Sequence, residues 1–111
     1  VAAALAAGIQ RDNIILDVGI GFGKRKQDNL DLLAQLVAFV ALGFPVLLGT
    51  SRKRFMGSIC DVSEPAELVT ATAVTTALGV MAGVSLFRVH DVRENRQAVD
   101  IAWAIKQSQG I

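Results

Sequence analysis

Ile14-Ile15-Leu16-Asp17-Val18-Gly19-Ile20-Gly21-Phe22-Gly23-Lys24 is the stretch on which the fold turns. A short apolar run leads into one acid, then three glycines on alternate positions, then a lysine. An apolar run of this length bounded by glycine reads as a buried parallel strand. Glycines at every second position let the backbone turn sharply and come close to a ligand. The acid then stands at the carboxyl end of a strand, where α/β proteins place their ligands. The plainer alternative is a strand-to-helix turn with a capping aspartate. Two familiar glycine motifs do not fit. A Walker A loop needs Gly at Val18 and Ser or Thr at Arg25, and a dinucleotide fingerprint from Gly19 needs Gly at Lys24.

Two more apolar runs lie downstream. Val46-Leu47-Leu48 leads into a polar, basic loop, Gly49-Thr50-Ser51-Arg52-Lys53-Arg54, and Ser85 to Val89 ends at His90-Asp91. Helical patterns separate these runs. Val1 to Ala7 reads as the end of an Ala-rich helix capped by Gly8. Asn29 to Leu42 carries Leu33, Leu36, Val37 and Val40 on one stripe, with Asp28 or Asn29 as cap and Gly43 and Pro45 as stop. Glu64 to about Val80 is a third helix, opened by Pro65; its threonine content weakens it. Asp91 and Glu94 form a variant capping box for a last helix with Ala98, Ile101, Ala102 and Ile105 inward. The strand ends Leu16, Leu48 and Val89 lie 32 and 41 residues apart. Helices in those gaps imply parallel strands with right-handed crossovers.

The 111 residues suffice for one small domain, and 52% hydrophobic against 19% charged excludes a disordered segment. A net charge of +1 without a basic stripe gives nucleic-acid binding no compositional support. The single cysteine, Cys60, permits no internal disulfide, which suits a reducing, cytoplasmic setting. Leu68 to Phe87 is long enough and uncharged enough for a membrane span. Its Thr70, Thr72, Thr75, Thr76 and Ser85, and the glycines at its end, favour helix, turn and strand instead, and no membrane partner. Because Val1 begins the chain inside a helical pattern, the expectation is a fragment of something longer.

Parallel strands gather their carboxyl ends on one rim. That rim would bring together Asp17, the Gly19–Gly23 loop, Ser51, Arg52, Lys53, Arg88 and His90. One acid beside several cations suits an anionic ligand that also carries a polar ring. Arg88 and His90, two apart, share one face of a strand; Phe87 and Val89 take the other, toward the helices. Taken singly, Arg88 could pair with a neighbouring acid and His90 could bond a carbonyl. Lys24-Arg25-Lys26 defaults to a solvated loop, Asp91 to a helix cap, and nothing in the sequence sets a distance between Ser51 and His90. No His, Cys or Asp cluster has metal-ligand spacing.

Three motifs together resemble the carboxyl-terminal part of the dihydropteroate synthase family: DVGIGFGK over Asp17–Lys24, GTSRKRFMG over Gly49–Gly57, and RVHDV over Arg88–Val92. Asn29, Leu30 and Phe39–Gly43 fit as well. The resemblance implies an α/β fold of parallel βα units forming the last three strands of a (β/α)8 TIM-type barrel, with residues 1–111 one part of a single pterin-binding domain. It implies transfer of a dihydropterin-methyl group from 6-hydroxymethyl-7,8-dihydropterin diphosphate to p-aminobenzoate, giving 7,8-dihydropteroate and diphosphate. By that resemblance Asp17 and Lys53 hold the pterin. Arg88 and His90 hold the diphosphate, and Lys53, Arg88 and His90 are the catalytic set. Gly21, Phe22 and Ser51 border p-aminobenzoate. Mg²⁺ on the diphosphate would take its ligands from the amino-terminal part, none from this chain, and the full-length protein would be a homodimer. Val18 departs from the family's proline. A complete barrel takes about 250 residues, so the isolated chain is expected to be inactive, with an exposed sheet edge. Two alternatives are a pterin-binding methyltransferase using methyltetrahydrofolate, which needs no diphosphate cradle, and a non-catalytic α/β module.

Overall fold

The structure is a computed structural model, and it describes residues 7–9, 14–21 and 25–109. Phe22, Lys24 and nearly all of the expected amino-terminal helix lie outside those residues. Three short strands form one parallel sheet in the order β1, β2, β3. They are β1 (Leu16–Asp17), β2 (Val46–Leu48) and β3 (Leu86–Phe87). Leu16 pairs with Val46 and Asp17 with Leu47, while Leu47 and Leu48 pair with Leu86 and Phe87. The expected strands over 14–16 and 85–89 are both shorter in the structure. Ser85 and Arg88, just outside β3, still donate their backbone N–H groups to the Val46 and Leu48 carbonyls.

Helices fill both crossovers, as parallel pairing requires. Between β1 and β2 run α1 (Lys26–Ala34) and α2 (Leu36–Val40). Between β2 and β3 run α3 (Arg54–Cys60), a 3₁₀ turn at Pro65–Glu67, and α4 (Val69–Ala82). Helix α5 (Val92–Ser108) follows β3. Val46 and Leu48, on one face of the central strand, are almost fully buried with Ile20, Leu36, Phe55, Met56 and Leu68. Leu47 on the other face is only partly covered. A strand apolar on both faces is one meant to be covered on both sides.

Several expectations about the helices need correction, among them the helix opened by Pro65, which is a 3₁₀ turn at Pro65–Glu67 followed by α4 from Val69. The single helix over Asn29–Leu42 is two, broken at Gln35, whose φ of −110° and ψ of 19° leave the helical region. The break changes the phase of the stripe, so Leu36 is buried while Val37 is exposed. Asn29 is not a cap but a buried residue inside α1; Asp28 accepts a hydrogen bond from the Arg25 N–H at the helix start. Helix α3 has no counterpart among the sequence expectations. Gly57 and the short apolar run hide it, and burial of Phe55 and Met56 holds it. In α5, Ile101 and Ile105 are exposed, and Asn95 and Ala102 form the buried face. Asp91 makes no side-chain cap, because its carboxylate is taken by Arg52. In keeping with its threonines, Leu68–Phe87 is a helix, a turn at Gly83 and a strand. Among the described residues no helix is long and apolar enough to cross a membrane.

Candidate functional site

The glycine loop after β1 is tied down at two points. Asp17 Oδ1 accepts the Gly19 N–H at 2.9 Å, and Asn29 Oδ1 accepts the Gly21 N–H at 2.8 Å. Asn29 is buried, so the loop is fixed to the first turn of α1. Lys53, from the loop after β2, donates from Nζ to the Ile20 carbonyl at 2.9 Å. It crosses Gly21 closely: a Cβ there would lie 2.7 Å from Lys53 Cδ, and Gly21 has φ +83°. Here the missing side chain is the reason two strand-end loops can touch.

Arg88 makes the longest reach. Its Nη2 lies 3.8 Å from Asp17 Oδ2, so the guanidinium passes from the end of β3, over the end of β2, toward β1. Gly49 makes room, since a Cβ there would lie 2.9 Å from Arg88 Nη2. The pair is open to solvent, 57% and 39% exposed on its two side chains. An exposed ion pair of this kind contributes only about 0–1 kcal/mol. An anion entering the rim can therefore recruit Arg88 at little expense.

His90 and Ser51 meet twice. Ser51 Oγ is 2.7 Å from His90 Nδ1, and the His90 backbone N–H donates to the same oxygen at 3.0 Å. Next to them Arg52 and Asp91 form a two-point ion pair, Nη2 to Oδ1 at 2.8 Å and Nε to Oδ2 at 3.2 Å. The Arg52 hydrogen bonds hold the Asp91 carboxyl below the usual carboxylate range, against a smaller opposing push from burial. Asp91 thus orients Arg52 and does not complete a Ser-His-Asp array. Arg52 itself adopts φ 57° and donates its N–H to Thr72 Oγ1.

The threonines of α4 explain themselves at this point. Thr72 receives Arg52, Thr75 Oγ1 lies 2.6 Å from Thr50 Oγ1, and Thr76 donates to Asn95 Oδ1 at 2.6 Å. Asn95 Nδ2 in turn donates to the Asp91 carbonyl. Residues at i, i+3 and i+4 on one helix thus bind the loop after β2 and, through Asn95, the start of α5.

These side chains enclose a cleft of about 250 Å³ lined by Gly49, Ser51, Lys53, Arg88, Val89 and His90. Val89 borders the cleft instead of turning fully toward the helices, whereas Phe87 packs against α4 at Gly79. A larger hollow of about 710 Å³ runs along β3 and α5, past Val80, Phe87, Val99 and Trp103. It lies away from the strand-end loops. The smaller cleft is the one that holds the charged strand-end side chains Lys53, Arg88 and His90. Mg²⁺ needs several oxygen donors. Asp17 faces Arg88, Asp91 is engaged by Arg52, and among the described residues no cluster of His, Cys, Asp or Glu could hold a metal. The residues of this rim do not fit a metal site, so no step is assigned through one.

Asp17, Gly21, Ser51, Lys53, Arg88 and His90 thus stand on one rim; Phe22 lies outside the described residues. Arg52, named with them as a cation, serves the scaffold. Sequence reasoning missed the anchoring role of Asn29 and the threonine face of α4. A polar residue in the first turn of an apolar helix was the available signal for Asn29.

A ligand cleft at the carboxyl ends of parallel strands with a helical coat is the arrangement of a (β/α)8 barrel enzyme, of which three units are present. The family model described as "Pterin binding enzyme" matches residues 1–90, and the chain belongs to that family. It is 43% identical over 108 residues to dihydropteroate synthase of Bacillus subtilis (strain 168), covering 97% of this chain and 38% of that protein. The Yersinia pestis dihydropteroate synthase superposes with a TM-score of 0.90 at 35% identity, over 96% of this chain and 50% of that one. The Thermus thermophilus enzyme, solved in complex with 4-aminobenzoate, gives 0.85 at 46% identity, over 93% and 39%. The chain therefore spans about two fifths to one half of these relatives' length.

Proposed function

We propose that this chain supplies the pterin and diphosphate rim of a dihydropteroate synthase. The observation that carries the reading is the convergence of Asp17, Lys53, Arg88 and His90, from three strand ends, on one rim. In the reaction the bond between the pterin methylene carbon and the diphosphate oxygen breaks, and the electron pair leaves with the diphosphate. Charge builds on that oxygen where Arg88 and His90 stand, which lowers the barrier most if they are already in place. The amine of p-aminobenzoate then bonds to the methylene carbon and releases a proton to solvent. Lys53 and Asp17 orient the pterin ring, and Gly21 and Phe22 border p-aminobenzoate. Ser51, which lines the same cleft, borders that neighbourhood beside His90. Mg²⁺ on the diphosphate would be held by residues outside this chain.

The reading is tested in the complete barrel that carries this chain. Arg88→Met and His90→Ala should each lower kcat by about 10²-fold. Unchanged turnover in both would contradict it. A methyltransferase reading would instead leave turnover independent of diphosphate.

The same reading extends to partner and compartment. The outer faces of α4 and α5 expose Val74, Leu78, Ile101 and Ile105, forming a wide apolar surface. The outside of a barrel's helical coat faces solvent unless another subunit covers it. A second copy of the protein fits, giving a homodimer; sedimentation of Leu78→Glu as a monomer would support it, and an unchanged dimer would oppose it. The free thiol Cys60 is exposed, in keeping with a cytoplasmic enzyme.

A further inference from the structure

We infer that Ser51 is a positioning residue that fixes the ring of His90 as the Nε2–H tautomer. The inference rests on the reading above, in which His90 meets the leaving diphosphate. One serine oxygen is within hydrogen-bond distance of two atoms of the same residue, the backbone N–H at 3.0 Å and ring Nδ1 at 2.7 Å. The backbone N–H is only a donor, so it occupies a lone pair of Oγ. Ser51 is buried, and among the described residues its hydroxyl proton has no other acceptor. Donation to Nδ1 satisfies it, whereas an N–H at Nδ1 would leave a buried hydroxyl proton unpaired. Nδ1 is then the acceptor, and the ring's proton sits on Nε2.

The consequence is directional. Among the described residues Nε2 makes no hydrogen bond, and His90 is exposed. Its N–H is therefore offered to the cleft as a donor, in the form an accumulating negative charge needs. The opposite tautomer would present a lone pair to a phosphate oxygen and repel it. The two bonds also clamp the ring against the backbone of its own residue, which leaves χ1 and χ2 little freedom. Arg88 and Lys53 line the same cleft, so the ring donor adds to two cations.

His90 is the only histidine of this chain, which makes the test direct. With histidine-labelled protein at a pH where the ring is neutral, long-range ¹H–¹⁵N correlation reports the tautomer. The expected result is a single species with a protonated Nε2 and an unprotonated Nδ1. A protonated Nδ1 in the wild type would overturn the inference. Ser51→Ala should lose the single species and Ser51→Thr should keep it; an unchanged pattern in Ser51→Ala would also overturn it. In the complete barrel, Ser51→Ala should lower kcat roughly tenfold or more, as loss of a ring-orienting partner does, with KM for p-aminobenzoate unaltered. A raised KM at constant kcat would mean that Ser51 touches p-aminobenzoate directly, and would overturn it. Addition of diphosphate separates the two layers. The expected tautomer with an Nε2 signal indifferent to diphosphate would leave Ser51's role intact and remove the diphosphate reading.

Discussion

Gly21 shows what a single residue contributes to the rim. It supplies a positive φ, and it supplies the absence of a Cβ beneath Lys53. Gly21→Ala would meet both obstacles. The left-handed backbone costs an alanine about 1–2 kcal/mol, and the new methyl lies on Lys53 Cδ. The expected outcome is a lower melting temperature together with weaker pterin binding, read by thermal unfolding and by ligand titration of the same sample. Asp91 acts at the same scale but through charge. Its carboxyl is held below its ordinary value by Arg52, so the folded state binds the proton less well than the unfolded chain. The ion pair's contribution is therefore present above the unfolded carboxyl's pKa, near 4, and is lost as pH falls through the lower folded value. Asp91→Asn should remove that part of the acid limb of the stability curve while leaving its slope above about pH 5 unchanged. Asp17, Lys53, Arg88 and His90 were all legible in the sequence, because each follows an apolar run that names its strand end. The Ser51–His90 contact was not, since residues 39 apart acquire a distance only when the loops are packed.

Among the elements, α4 joins the site to the scaffold. Its threonines look like poor helix formers in isolation. Tertiary hydrogen bonds to the loop after β2 and to Asn95 of α5 outweigh that propensity. Thr76→Val keeps the shape and removes the donor to Asn95 Oδ1, which is buried. The expected loss is about 1–3 kcal/mol, measured by denaturant unfolding, with loosening of the Asp91 end of the rim. An unchanged stability would mean that Asn95 finds another partner. Elements differ in how openly they declare themselves. The three strands and α5 follow from apolar runs, acids and glycines at their borders. Helix α3 is short and carries a mid-helix glycine, and its existence depends on Phe55 and Met56 finding the core. The break at Gln35 has no signal in the stripe that runs through it, because packing, not pattern, sets where α1 gives way to α2.

At the scale of the whole molecule, the parallel sheet formed by the described residues leaves β1 and β3 each with one edge unpaired among those residues. A full barrel has none. Trp103 is 51% exposed beside the hollow along β3 and α5, on the flank where a barrel would continue. The 111-residue chain by itself should give no measurable dihydropteroate synthesis, while the complete barrel that includes it should. Turnover by the isolated chain would show that three strand ends are sufficient, contrary to this account. Calorimetric titration of diphosphate into the complete barrel, with Arg88→Met alongside the wild type, measures the anion affinity of the rim directly. Saturable binding is expected, weakening at least about tenfold, or 1.4 kcal/mol, in Arg88→Met and diminishing with added salt. Equal affinity in the two proteins, or no binding in either, would contradict the rim's hold on diphosphate.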